Sequence, residues 1–248
     1  MRFIQIPLLL ATLVLTSTAA TAQTADELAE KSLTAIGGRA ALGKIKSRQM
    51  TGKMAISTEN GDIPGTIEAI NQAPNKMHRL ITLDLSAMGA GSATIEQRFD
   101  GTTGYQIDSM RGDSALSASQ TDNLKNAIFP SPLLDYKERG TKIVLGGKEK
   151  LADRDVYALS ITPASGPVTR LFIDASTYLP VRAIVTIDLP EVGSQEQTTD
   201  FSDYRDVDGV KVPFVIKGSS PIQTFTITVT QVKHNVEVDP AMFSKPVK

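Results

Sequence analysis

Two histidines, His78 and His234, and a run of aspartates, Asp200, Asp203, Asp206 and Asp208, are the residues here whose types and spacing could carry chemistry. An imidazole could serve as a general base, and clustered carboxylates could cage calcium. Neither arrangement meets its requirements. The sequence has no G-x-S-x-G elbow, S-x-x-K motif, P-loop or G-x-G-x-x-G turn to accompany a base. His78 alternates with Met77 and so falls on a polar strand face, and His234 ends a strand; both read as solvated histidines. The chain has no cysteine, so a transition-metal site would need carboxylates and an H-x-x-x-H spacing that is absent. The aspartate run fails the EF-hand pattern because Tyr204 stands where the first ligand belongs. It reads as the polar face of a strand that ends in an Asp208-Gly209 hairpin turn. We therefore expect a non-enzyme with no catalytic residue, metal or cofactor.

The methionines are more informative. Met50, Met54, Met77, Met88 and Met110 crowd into the first half of the chain that follows the leader. Methionine fills irregular space and tolerates varied apolar partners, which suits an adaptable greasy cavity and equally suits ordinary core packing.

The elements that must position these residues begin with a leader. Arg2, the apolar run Ile6 to Leu15 and the small residues Ala20-Thr21-Ala22 have the order of a secretory signal peptide cut ahead of Gln23. Residues 23–248 then form one expected domain, exported to the periplasm and soluble, since no later stretch could span a bilayer as a helix. Losing Arg2 with the leader takes the formal net charge from −1 to −2, which offers no broad basic field to nucleic acid.

Thr24 and Glu27 have capping-box spacing, and Leu28, Ser32, Leu33 and Ile36 give a helical stripe that stops at Gly37-Gly38. A second short helix is expected over Arg39 to Lys44, with Leu42 and Ile45 inward. The hydrophobic period then changes from 3.6 to 2. Met50, Gly52, Met54 and Ile56 share one face; Met77, Arg79, Ile81, Leu83 and Leu85 share another. The alternation returns in Tyr157-Leu159-Ile161, Val181 to Ile187, Val210 to Ile216 and Phe225 to Val229. Turns are expected at Asn60-Gly61-Asp62, Asp100-Gly101, Gly146-Gly147, Asp174 to Thr177 and Asp208-Gly209. About ten or eleven strands follow, in a sheet with one greasy and one wet face. Ser117 to Phe129 breaks the alternation and reads as a helix, with Ser119 and Asp122 at capping-box spacing. The proline-broken loop to Leu134 follows it. Helix and loop together either cover one face of the sheet or plug its core.

So organised, the chain resembles the outer-membrane lipoprotein-sorting protein family, with its LolA/LolB-like fold. The likeness rests on Ala35-Ile36-Gly37-Gly38 with Ala41-Leu42 and Ile45-Lys46-Ser47, and on Phe99-Asp100-Gly101 with Gly104-Tyr105. Phe172-Ile173-Asp174 with Tyr178 to Val181, Phe201 to Arg205 with Val207 to Pro213, and Asn235-Val236 with Phe243 complete it. These short motifs reach across nearly the whole chain after the leader. The resemblance implies an incomplete, strongly curved antiparallel β-barrel with an N-terminal helix and a helical lid, whose concavity receives acyl chains. It also implies a polar contact between lid and strand, for which Arg79 is the candidate.

The expected function is periplasmic binding or carriage of lipid or lipoprotein acyl chains by a monomer, with membrane-bound donor or acceptor proteins as further partners. The pocket would be lined by Met50, Met54, Ile56, Met77, Ile81, Leu83, Met88 and Phe99, with Leu124, Ile128, Phe129, Leu133 and Leu134 from the cover. The alternative is a periplasmic protein-interaction or sensing domain whose concavity is filled by its own side chains.

Overall fold

A computed structural model describes residues 23–246 except 60, 190–192 and 222. The expected leader, residues 1–22, and Asn60 of the first expected turn lie outside the described residues. Helix α1 (Ala25–Ile36) opens on the expected capping box: Glu27 N–H donates to the Thr24 hydroxyl, and Thr24 N–H donates to the Glu27 carboxylate. It ends at Gly37, whose φ of 141° a β-carbon would not tolerate. That carbon would also meet the Gly209 carbonyl oxygen at 2.4 Å. Helix α2 (Gly38–Lys44) follows at once and buries Leu42.

Among the described residues thirteen strands come next, more than the alternation led us to expect: β1 (Ser47–Thr58), β2 (Gly61–Gln72), β3 (Lys76–Asp84), β4 (Ser92–Phe99), β5 (Gly104–Asp108) and β6 (Ser114–Ala115). After helix α3 (Ala118–Asn126) come β7 (Lys142–Leu151), β8 (Arg154–Thr162), β9 (Thr169–Asp174), β10 (Pro180–Leu189), β11 (Gly193–Val207), β12 (Val210–Ser220) and β13 (Gln223–His234). They form one sheet in the order β6-β5-β4-β3-β2-β1-β13-β12-β11-β10-β9-β8-β7. Every pairing is antiparallel, and the first and last strands meet in the interior of the sheet, Met54 opposite Ile227. The edges β6 and β7 do not pair, so the barrel stays open. The segment from Leu116 to Thr141, including α3, links those two edges.

Several local readings are corrected. Gly146-Gly147 is not a turn: it lies within β7, where the register shifts between Leu145 and Gly147 as a bulge. Helix α3 is capped two residues earlier than expected, by Ser117 with Gln120, because that pair exchanges hydroxyl, amide and backbone hydrogen bonds. The turns at Asp100, Asp174 and Asp208 stand where they were expected. At two of them the aspartate does the turning. Asp100 accepts from Thr102 and Thr103 N–H, and Asp174 from Ser176 and Thr177 N–H. Burial alone would raise the Asp100 carboxyl, but the Thr103 and Thr102 hydrogen bonds bring it down to about 2.

The concave face holds the main core. Leu28, Ala29 and Leu33 of α1 pack with Leu42, Val210, Val212, Phe214, Ile227 and Leu159. Phe225 lies against Gly218, where a β-carbon would strike its ring at 2.2 Å. Val156, Ala158, Phe172 and Val181 form a smaller cluster on the other face. Among the described residues, no helix is long and apolar enough to cross a membrane.

Candidate functional site

Two separate covers lie over the concave face. The first is made by α1 and the loop around Phe129 to Arg139. Tyr136 donates its hydroxyl to Asp26 of α1, Lys137 reaches the same carboxylate at 2.6 Å, and Arg39 reaches Asp135 at 3.1 Å. Arg139 donates to the carbonyls of Pro132 and Leu134, closing the loop on itself. Phe129 and Leu133 are thereby driven into the core, and the Arg48 guanidinium stacks 5.0 Å from the Phe129 ring centre.

The second cover is α3, and it is thin. None of its residues is buried. Its C-terminal end is strapped by side-chain amides: Asn126 donates to the Ser165 carbonyl at 2.8 Å, and Asn75 donates to the Lys125 carbonyl at 3.2 Å. Beneath α3 lies a cavity of about 410 Å³, within the roughly 300–1,000 Å³ typical of small-molecule sites. Its walls are Leu116, Leu124 and Ala127 from the cover, Ala183 and Val185 of β10, and a polar set comprising Arg79, Gln97, Asn123, Gln197 and Thr199. A second cavity of about 170 Å³ flanks the other side, between Ile128, Pro132, Arg139 and Ile161.

The thirteen apolar positions proposed from the sequence divide accordingly. Met54, Ile81, Leu83, Phe129 and Leu133 are buried in the core, with Met50, Ile56 and Leu134 packed against it. Phe99 is fully buried, opposite a half-buried Met77. Leu124 lines the larger cavity and Ile128 the smaller. Met88 is 57% exposed, because it sits in the short 3-10 turn Ser86–Met88 beyond the end of β3. The core end of the concavity is thus filled by the protein's own side chains, and the open space lies beside β10 and β11. Gln97, Ala183, Val185, Gln197 and Thr199 were missed. The signal for them was polarity at inward positions: Gln97 lies between Ile95 and Phe99 in the alternation, and Thr199 precedes Phe201.

Arg79 does face the cavity. It donates to Gln97 across the strand pair, and Gln97 in turn donates to Gln106 at 2.9 Å. Its hydrogen bond therefore runs along the sheet and not to the lid. Burial lowers the guanidinium below its ordinary value, and its Nε lies buried with no partner, as does Oδ1 of Asn123 above it.

The histidines are not the solvated residues expected. The His78 side chain is 12% exposed and pairs with Glu96 at 2.8 Å, under the C-terminal segment, whose Ser244 carbonyl receives Arg98. The His234 side chain is 2% exposed, between Asp208 at 3.2 Å and Arg48 Nε at 3.1 Å. Cross-strand charges and the covering C-terminus took both out of water. The aspartate run disperses as the strand reading implies. Asp200 pairs with Arg182, Asp203 with Arg205 and Asp208 with His234. Among the described residues no cluster could hold a metal.

The motifs that carried the resemblance are joints. Gly37 abuts Gly209, Tyr204 donates to the Pro180 carbonyl at 2.8 Å, and Asn235 Oδ1 receives Lys46 N–H at 2.8 Å.

No family model and no curated protein matches the chain. Solved structures do. A LolA superfamily protein from Nitrosomonas europaea matches at 16% identity and a TM-score of 0.55, over 90% of this chain and 99% of that one. A DUF1329 family protein from Desulfovibrio piger matches at 13% and 0.57, over 90% and 98%. A putative outer membrane lipoprotein-sorting protein domain from Vibrio parahaemolyticus matches at 10% and 0.56, over 88% and 95%. By its fold, this chain is an open, curved, helix-covered β-barrel of the LolA-like kind.

Proposed function

We propose that this protein is a periplasmic binder or carrier of the acyl chains of a lipid or lipoprotein, held in the cavity beneath α3. One observation carries the reading: a mainly apolar cavity of about 410 Å³ stays unfilled under a helix that buries none of its own residues. An acyl chain gains roughly 0.8 kcal/mol for each methylene it buries. A cover held by a few amide hydrogen bonds opens at low cost, as loading and release require. The likeness in fold to a lipoprotein-sorting protein domain supports the same reading. The lining offers amides, hydroxyls and one guanidinium, which are groups that bind and orient, so we take the protein to be a non-enzyme. In this reading residues 1–22 are removed on export, residues 23–248 act as a single monomeric domain, and membrane-bound proteins load or unload it.

The filled core end of the concavity favours a second reading, a periplasmic interaction or sensing domain that binds a protein. Native mass spectrometry of protein purified from the periplasm without detergent, followed by organic extraction, separates the two. The carrier reading expects bound lipid that is lost on Leu124→Asp in a still-folded protein. A clean apo mass with no later uptake of a fluorescent fatty acid overturns it and favours the second reading.

A further inference from the structure

Several arginines on the surface of this protein pair with carboxylates. Arg182 holds Asp200 through two hydrogen bonds of 2.5 and 2.9 Å, Arg98 pairs with Glu96 at 2.6 Å, and Arg39 bridges Glu30 and Asp135. Arg79 differs. Strand parity sends it to the concave face with Ile81 and Leu83, where its cross-strand partner is the neutral amide of Gln97. Gln97 is turned so that its Oε1 serves Arg79 while its Nε2 donates onward to Gln106. A neutral amide row solvates a cation but does not cancel its charge. Arg79 Nε, moreover, is buried in the cavity wall with nothing to donate to.

A buried guanidinium without a counter-charge is costly unless something ionised meets it. Among the described residues lining this cavity there is no carboxylate. No described residue of the wall supplies an anion, which points to one carried in by a ligand. The same wall supplies Leu116, Leu124, Ala183 and Val185, so whatever brings the charge also brings apolar surface. We infer that the cavity takes an amphiphile whose apolar chain ends in one acidic oxygen group, a carboxylate or a phosphate ester, and that Arg79 receives that group. Asn123 Oδ1, the other buried atom without a partner among the described residues of this lining, enters from α3 on the opposite side. A headgroup with a hydroxyl beside its acid would donate to Asn123 as it accepts from Arg79, tying lid and sheet together across the ligand. The inference rests on the acyl-chain reading above and narrows it.

The test uses the delipidated protein lacking the leader and three probes, palmitate, methyl palmitate and inorganic phosphate, followed by calorimetry. Palmitate should bind roughly tenfold or more tightly than its neutral ester, the scale of a hydrogen bond to a charged group. Arg79→Gln should erase that preference, bringing acid and ester to the same affinity, and Arg79→Lys should keep part of it. Equal affinity for acid and ester in the unsubstituted protein overturns the inference and leaves chain binding standing. Uptake of neither sinks chain binding and the inference with it. Phosphate bound as tightly as palmitate assigns Arg79 to a free anion and overturns the inference by a different route. The acid-to-ester comparison needs no variant, so a misfolded Arg79 substitution cannot mask the result.

Discussion

The guanidinium of Arg48 donates through Nε to the Nε2 of His234 at 3.1 Å, so the imidazole that receives it is neutral and turns its Nδ1–H toward Asp208. Burial first, and the Arg48 charge second, hold His234 below its ordinary 6.5, against the opposing pull of Asp208. Burial also brings Arg48 down to about 10. Since the folded state disfavours the imidazolium, the unfolded chain binds the extra proton more readily. Stability contributed by His234 is therefore fully present above pH 6.5 and is lost as pH falls from there through the lower folded value. Urea midpoints should decline from pH 7 to pH 5.5, and His234→Gln should flatten that decline. An unchanged slope in the variant would count against this account.

Asn126 is the main strap of α3, donating to Asp122 and Ser165 carbonyls at 2.9 and 2.8 Å. Asn126→Ala should speed hydrogen exchange over residues 117–127 by about tenfold, while global stability falls by only about 1–2 kcal/mol. Equal protection of α3 in variant and parent would show that the strap lies elsewhere.

Core and cavity residues should separate by phenotype. Leu133 is 1% exposed and packed into the core, so Leu133→Ala should cost about 2–5 kcal/mol. Val185 is half-buried on the cavity wall, and Val185→Asp should abolish uptake of a fluorescent fatty acid with a smaller loss of stability. Thermal melts and dye binding on the two variants decide whether the division between filled core and open cavity is right.

Gly37→Ala places a β-carbon 2.4 Å from the Gly209 carbonyl oxygen, at a φ of 141°. Neither backbone can move freely, because Gly209 turns β11 into β12 while Gly37 joins α1 to α2. A loss of about 2 kcal/mol or more is expected in chemical denaturation. A neutral result would mean that the α1 junction yields more easily than its packing implies.

Much of this architecture was legible in the chain. The capping box at Thr24, the Gly37-Gly38 stop and the period-2 runs from Met50 onward are local signals, and local signals survive folding. Strand number was not, because a strand as short as the two residues of β6 leaves no alternation to read; nor was the bulge in β7, whose paired glycines carry the same signal as a turn. The cavity was legible only in part. Inward parity pointed correctly to Arg79, but parity says nothing of which stretch of a face another element will cover. Met54 and Leu83 have the same credentials as Val185, and only the docking of α1 and Phe129 decides that the first two are filled space. The histidines misled for a like reason: their burial comes from Arg48, Glu96 and the C-terminal segment, all distant in sequence.

The pairing of β1 with β13 has a consequence for the life of the chain before it folds. All thirteen described strands fall into two meanders of hairpins, β1 to β6 and β7 to β13, that can zip up from near neighbours, but the seam between the meanders joins residues 48–57 to residues 224–234. Such a closure has high contact order and comes late. A chain still emerging from a ribosome lacks the strand that fastens its halves, so the two meanders stay unjoined until the last hairpin is made. A chain cut short before Gln223 would lose that fastener for good. It would leave β1 and β12 as naked edges, each a template for a neighbouring molecule.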